Sequence, residues 1–179
     1  MRLQNKVAVI TGAASGFGAG TARLFATEGA AVVVADISDE AGESVADSIN
    51  TSGGKAVYVH ADVTSRDDTR SMIDAAEKLG GRLDILINNA GQSRHSNFAD
   101  TTDQDWRDEF ELKFFGVIHP VRAFEALLMR SDCGAIVCVN ALLSRQPEIN
   151  LVATSATRAG LLNLTKSLST DLAPKGIRV

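Results

Sequence analysis

Two hydrophobic periods alternate along the chain. Short runs rich in β-branched residues occur at Lys6–Thr11, Ala31–Asp36, Ala56–Ala61, Leu83–Asn88 and Ala135–Asn140. They are apolar on both faces, as suits parallel strands covered by helices on each side. Between them, helical spacing predicts helices over about Gly16–Glu28, Asp39–Ser52, Arg66–Leu79 and Asp103–Arg130, with a fifth over Thr154–Leu172. Start signals agree: Ser38 precedes the second helix, Ser65 with Asp68 the third, and Thr101 with Gln104 forms a capping box for the fourth. In the fifth helix Leu161, Leu164, Leu168 and Leu172 form a core-facing stripe. Strand alternating with helix implies βαβ units and a doubly wound, Rossmann-like parallel α/β sheet. With no repeat, low-complexity tract or linker, residues 1–179 read as one domain.

Composition narrows the function classes. Apolar residues make up 45% and charged residues 22% of the 179 residues, the balance of a soluble globular domain. A net charge of −4 argues against a nucleic-acid partner, which would call for a basic surface. No apolar run is long enough to span a membrane, and the start of the chain lacks the long apolar stretch of a signal peptide. Cys133 and Cys138 flank or lie on a predicted strand that points them to opposite faces, so neither a disulfide nor a metal site is expected. A reduced, cytoplasmic setting follows.

The first chemical signal is Thr11-Gly12-Ala13-Ala14-Ser15-Gly16-Phe17-Gly18, joining the first strand to the first helix. Gly12 permits a tight turn, Gly16 a close approach to a pyrophosphate, and Gly18 close helix–strand contact. The helix N-terminus offers free N–H groups to phosphates, which makes Ser15 and Phe17 binding positions as well. Asp36, ending the second strand, is placed to accept hydrogen bonds from the adenosine ribose. That carboxylate would repel a 2′-phosphate, and no Arg or Lys lies in the loop or just after it. NAD(H) is therefore expected over NADP(H).

With these features and several motifs beyond them, the chain resembles the short-chain dehydrogenase/reductase family along essentially its whole length. The glycine spacing is that family's variant. Asp62-Val63 resembles the pair that holds the adenine ring, and Asn88-Asn89-Ala90-Gly91 the motif beside the cofactor. The resemblance implies an oxidoreductase acting on a small carbonyl or alcohol. It also implies four catalytic positions: an Asn in the fourth helix, a Ser after the fifth strand, and Tyr-x-x-x-Lys opening the fifth helix. Every one is altered. Lys113 stands at the Asn position, Ala141 at the Ser, Thr154 at the Tyr and Arg158 at the Lys; the sole tyrosine, Tyr58, lies in the third strand.

These changes matter chemically. A phenol with a pKa near 10 can be drawn toward neutrality by a cation, and a threonine hydroxyl cannot. Arginine supplies charge but passes no proton, and Ala141 cannot hydrogen-bond a substrate oxygen. Lys113 either solvates a helix face or, facing the site with Arg158 beside it, becomes a proton donor, with Thr154 and Ser144 orienting a carbonyl. His95 is a substrate contact or a surface residue, and Trp106 is expected to pack the core. Two functions follow: a divergent oxidoreductase, or a non-catalytic NAD(H)-sensing or assembly module. The resemblance also implies a homodimer through the fourth and fifth helices, where Ala156, Ala159 and Gly160 would admit a partner helix. It sets Ile177-Arg178-Val179 at the start of a sixth strand, with the substrate-binding segment beyond it.

Overall fold

In the computed structural model, which describes residues 1–179, five strands form one parallel sheet. They are β1 (Val7–Thr11), β2 (Ala31–Asp36), β3 (Lys55–His60), β4 (Ile85–Asn88) and β5 (Ala135–Cys138), in the order β3-β2-β1-β4-β5. The order reverses between β1 and β4, and at such a switch point a crevice opens at the carboxyl ends of the strands. The apolar strand runs fill two cores, one on each face of the sheet. Helices α1 (Gly16–Thr27) and α2 (Asp39–Thr51) cover one face. The other is covered by α3 (Arg66–Gly80), α5 (Gly116–Leu128) and α6 (Val152–Leu172). The leucine stripe holds: Leu161 and Leu172 are buried, and Leu164 and Leu168 pack against the same core. Residues after α6 lie beside β5, where the Arg178 N–H donates to the Gly134 carbonyl and the Ile136 N–H to the Arg178 carbonyl. No helix is long and apolar enough to cross a membrane.

Local signals were less regular than the periodicity. Ser65 caps α3 as expected, its hydroxyl accepting from the Asp68 N–H. Ser38 makes no side-chain cap; its own N–H instead donates to Asp36. The fourth helix starts at Asp103 as expected, in α4 (Asp103–Phe110), but its capping box is formed by Thr102 and Asp105 rather than Thr101 and Gln104. Asp serves at the third position because its carboxylate reaches back to the Thr102 N–H.

The larger departure is that this helix is not continuous to Arg130. A π-turn over Glu111–Phe115 separates α4 from α5. Pro120, with no N–H to donate to the carbonyl four residues back, follows close behind it. Such insertions are frequent at functional sites because they re-aim one side chain without ending the helix. Here the re-aimed segment carries Lys113. Phe114 of the same turn sits where a side chain on Gly160 would have to go. Gly160 is thus filled from within the chain, which corrects its expected role in admitting a partner helix; Ala156 and Ala159 remain exposed.

Candidate active site

The dinucleotide cradle is built from backbone. Gly12 has a left-handed φ of 64°, and a Cβ there would lie 2.7 Å from the Ala90 Cα. A Cβ on Gly18 would collide with the Gly12 carbonyl, whereas Gly16 faces open space. The first turn of α1 carries no acidic residue, and Ser15 makes no side-chain cap, so the positive end of the helix is left for an anion. Asn89 ties the β4 loop to this turn, its amide donating to the Thr11 carbonyl at 3.0 Å and the Gly12 carbonyl at 2.9 Å. The Ala90 N–H donates to the Thr11 hydroxyl. Asn89 and Ala90 therefore shape the cradle by clamping it.

On the adenosine side, Val63 is buried and touches the space beside Gly116. Asp62 accepts from the N–H and hydroxyl of Thr64. Asp36 is turned inward: one oxygen accepts from the Ala14 N–H at 2.9 Å and the other from the Ser38 N–H at 3.0 Å. Its carboxylate thus braces the glycine loop and the turn into α2. Nearby, Asp39 joins Tyr58 and His60, each at 2.7 Å. Hydrogen bonding to Asp39 raises the His60 pKa above its ordinary value.

At the other end of the crevice, three of the four altered positions converge. Lys113 is buried, its side chain only 1% exposed. Its ammonium donates to the Gln92 carbonyl at 2.6 Å and to Glu109, one helical turn back, at 3.3 Å. The Lys113 pKa lies below its ordinary value: burial is the main cause, Glu109 opposes the shift, and Arg158 and Arg94 add to it. A methyl group placed on Gly91 would lie 3.3 Å from an Arg158 terminal nitrogen and 4.0 Å from the Lys113 Cε. The two cations thus flank Gly91. Arg158 donates to the Val139 carbonyl at 2.9 Å, and its buried Nε has no partner. Burial likewise pulls the Arg158 pKa down, against the raising effect of Glu109.

Thr154 is fully buried, and its hydroxyl is engaged in both directions. It donates to Glu109 at 2.9 Å and accepts from the Arg94 N–H at 3.0 Å. The Arg94 guanidinium pairs with Asp105 and Asp108 of α4. Ala141 presents only its methyl and backbone beside Asn140, whose side chain accepts the Ala141 N–H. Ser144 ends a short 3₁₀ turn, Leu142–Ser144. His95 is exposed, and Trp106 is half-buried instead of lying in the core. The residue missed by sequence reasoning is Glu109, which joins Lys113 to Thr154. Its only sequence signal is its spacing four residues before Lys113.

Comparison with known proteins gives a consistent picture. The short chain dehydrogenase family model matches residues 6–179. A cis-4-hydroxycyclohexanecarboxylate dehydrogenase of Sinomonas cyclohexanicum is 39% identical over 97% of this chain and 70% of its own length. A 7alpha-hydroxysteroid dehydrogenase of Escherichia coli K12 is 34% identical over 100% of this chain and 70% of its own. The apo structure of a short chain oxidoreductase from Pseudomonas aeruginosa PAO1, described as containing an atypical catalytic center, superposes with a TM-score of 0.95. It is 45% identical over 100% of this chain and 69% of that one. An NADPH-bound structure of a short chain oxidoreductase from the same organism, described in the same way, is 44% identical with a TM-score of 0.93. It covers 98% of this chain and 70% of that one. The bound NADPH overturns the expectation of NAD(H) over NADP(H). In this chain the Asp36 oxygens each accept one backbone amide, from Ala14 and Ser38, so Asp36 also braces the glycine loop, and a carboxylate at this position does not by itself select the cofactor.

Proposed function

Because the chain belongs to the short-chain dehydrogenase family, as the match over residues 6–179 shows, we propose that it is an NADP(H)-dependent oxidoreductase of a small carbonyl or alcohol, with Lys113 as its proton carrier. The cradle fits the cofactor: an uncapped helix N-terminus without acids, and a turn whose close backbone packing leaves no room for a side chain at Gly12 or Gly18. When bound, the nicotinamide supplies or accepts the hydride. Gly12, Ser15, Gly16, Phe17 and Gly18 would hold the pyrophosphate, Asp62 and Val63 the adenine, and Asn89, Ala90 and Gly91 the nicotinamide end. Arg158 would bind the ribose and supply fixed positive charge. Lys113 would exchange a proton with the substrate oxygen, since an ammonium with a lowered pKa is a better general acid than an ordinary one. Ala141 leaves that oxygen without a hydroxyl donor.

The buried Lys113 ammonium flanking Gly91 together with Arg158 carries this reading. It is tested by titrating NADPH fluorescence and following NADPH oxidation with a panel of ketones and aldehydes. Lys113→Ala is expected to keep NADPH binding and to lower turnover by about 10²–10⁴-fold. Unchanged turnover would exclude Lys113. A non-catalytic NADP(H)-sensing or assembly role is the competing reading, favoured by Thr154, whose hydroxyl is consumed by Glu109 and Arg94. It predicts NADPH binding without turnover until Asn, Ser, Tyr and Lys are restored at positions 113, 141, 154 and 158.

Residues 1–179 are read as one dinucleotide-binding domain working in the cytoplasm. The exposed Ala156 and Ala159 on α6, with the partly exposed Phe110 and Phe115 on the preceding helical layer, support a homodimer. Sedimentation velocity is expected to show a dimer that Ala159→Glu converts to monomer.

A further inference from the structure

Outside the proton carrier itself, the centre contains one buried acid that no catalytic role yet uses. Glu109 is 1% exposed, and its two oxygens point to different partners. One accepts from the Lys113 ammonium at 3.3 Å, the other from the Thr154 hydroxyl at 2.9 Å. We propose that Glu109 is the positioning residue of this centre, a single carboxylate that fixes the Lys113 ammonium and the Thr154 hydroxyl beside Gly91 and keeps the lysine charged. The proposal rests on Lys113 being the proton carrier.

Every element packed around Lys113 bears on its charge. From α6 come Arg158, a cation, and Thr154, a neutral hydroxyl; from the loop after β4 come the Gln92 carbonyl and Arg94, a second cation. Arg94 is itself paired with Asp105 and Asp108. Glu109 is the only anion in direct contact with the ammonium. Without it, two cations and burial act together on Lys113 with only a carbonyl in opposition, which favours the neutral amine. A neutral amine has no proton to give a carbonyl oxygen.

The spacing also explains why the pair can form. Glu109 lies in the last turn of α4, and Lys113 lies four residues on, inside the π-turn. The wider turn carries Lys113 inward while leaving it within reach of the preceding turn. Thr154, at the start of α6, adds a second anchor on the other carboxylate oxygen. It therefore contributes to the site through Glu109, with no free hydroxyl hydrogen of its own.

The test reads the ionisation of Lys113 directly. The full chain is prepared with ¹³C at the lysine ε position, and NMR spectra are followed against pH; the Lys113 signal is the one lost in Lys113→Met. Glu109→Gln keeps an oxygen for Thr154 but removes the charge. It is expected to lower the Lys113 midpoint by about one pH unit or more, with NADPH affinity retained. Glu109→Asp keeps the charge one methylene further away and is expected to give an intermediate midpoint. It carries the comparison alone if Glu109→Gln fails to fold. Where a carbonyl substrate is turned over, the alkaline limb of the kcat/KM profile should move down with the midpoint, which a merely structural role would not cause. An unmoved midpoint overturns the proposal whether or not the protein turns over. A lowered midpoint without turnover upholds the Glu109–Lys113 coupling and removes Lys113 as a proton carrier.

Discussion

Asp84, just before β4 at the amino edge of the sheet, is fully buried and accepts from the Val7 N–H at 2.8 Å and from Arg82 at 3.1 Å. The Ser131 hydroxyl donates to its other oxygen, and the Lys6 ammonium lies 3.6 Å away. Glu109, beyond the opposite edge, is as deeply buried but has two partners, Lys113 and Thr154. The cations around Asp84 reach solvent, with side chains 25% and 37% exposed, whereas Lys113 is as buried as the carboxylate it faces. The first arrangement spreads one charge over donors that the fold already positions. The second sinks both members of an ion pair, which rarely repays the desolvation cost and is seldom the most stable solution. A pair of that kind at the mouth of a cofactor crevice points to chemistry, while the Asp84 cluster serves to join β1, β4 and the α5–β5 connection.

The difference can be broken most forcefully at Glu109. Glu109→Ala leaves Lys113 buried between two cations and is expected to destabilise the fold by about 3–5 kcal/mol. The double variant Glu109→Leu with Lys113→Met removes both charges, and its stability should return to near that of the parent, or exceed it. Denaturant unfolding of the three proteins measures this. If the double variant is as unstable as Glu109→Ala, the pair is not being kept at the expense of stability.

Why one of these carboxylates escaped sequence reasoning is physical. The strands, their alternation with helices and the glycine cradle were legible because each repeats a period or a spacing that the fold requires. Leu161 through Leu172 announced the buried face of α6 in the same way. Glu109 sits among Asp105, Arg107, Asp108 and Glu111, a stretch that reads as a solvated face. Lys113 reaches it at the ordinary spacing of one helical turn, but nothing in the composition says that both members of the pair face inward, or that a π-turn follows. Asp36 was misread for a related reason. Its position at the end of β2 was right, but which way a carboxylate turns depends on nearby free amides, here those of Ala14 and Ser38. The bulk of the fold follows from patterns of many residues, and the centre from a few contacts across the chain.

A smaller effect is expected at Asp84. Asp84→Asn keeps the shape but weakens acceptance from three donors, so a loss of about 1–3 kcal/mol is expected at neutral pH. Burial alone would raise the Asp84 pKa, but hydrogen bonds from Ser131, the Val7 amide and Arg82 outweigh it and hold the value below the ordinary 3.8. A carboxylate with a lowered folded pKa contributes fully above its unfolded value. That contribution is lost as the pH falls below 3.8 through the lowered folded value. The stability gap between parent and Asp84→Asn should therefore be constant from pH 7 to about 5 and close in strong acid. A gap that widens on acidification would reverse the sign and exclude the charged form as the stabilising one.

The smallest change is expected at Arg82, and it sharpens the contrast most finely. Its guanidinium donates to Asp84 and, through a second nitrogen, to the Asn5 carbonyl. After Arg82→Ala, Asp84 still holds the Val7 amide, the Ser131 hydroxyl and the nearby Lys6, so no charge is stranded. The loss should not exceed about 1 kcal/mol and should shrink as salt is raised from 0.05 to 0.5 M, because a partly exposed pair is screened. At Glu109, whose partner is buried, the same salt series should leave the cost of Glu109→Ala nearly unchanged. Should both variants respond to salt alike, burial of the partner cation would not be what separates the two carboxylates.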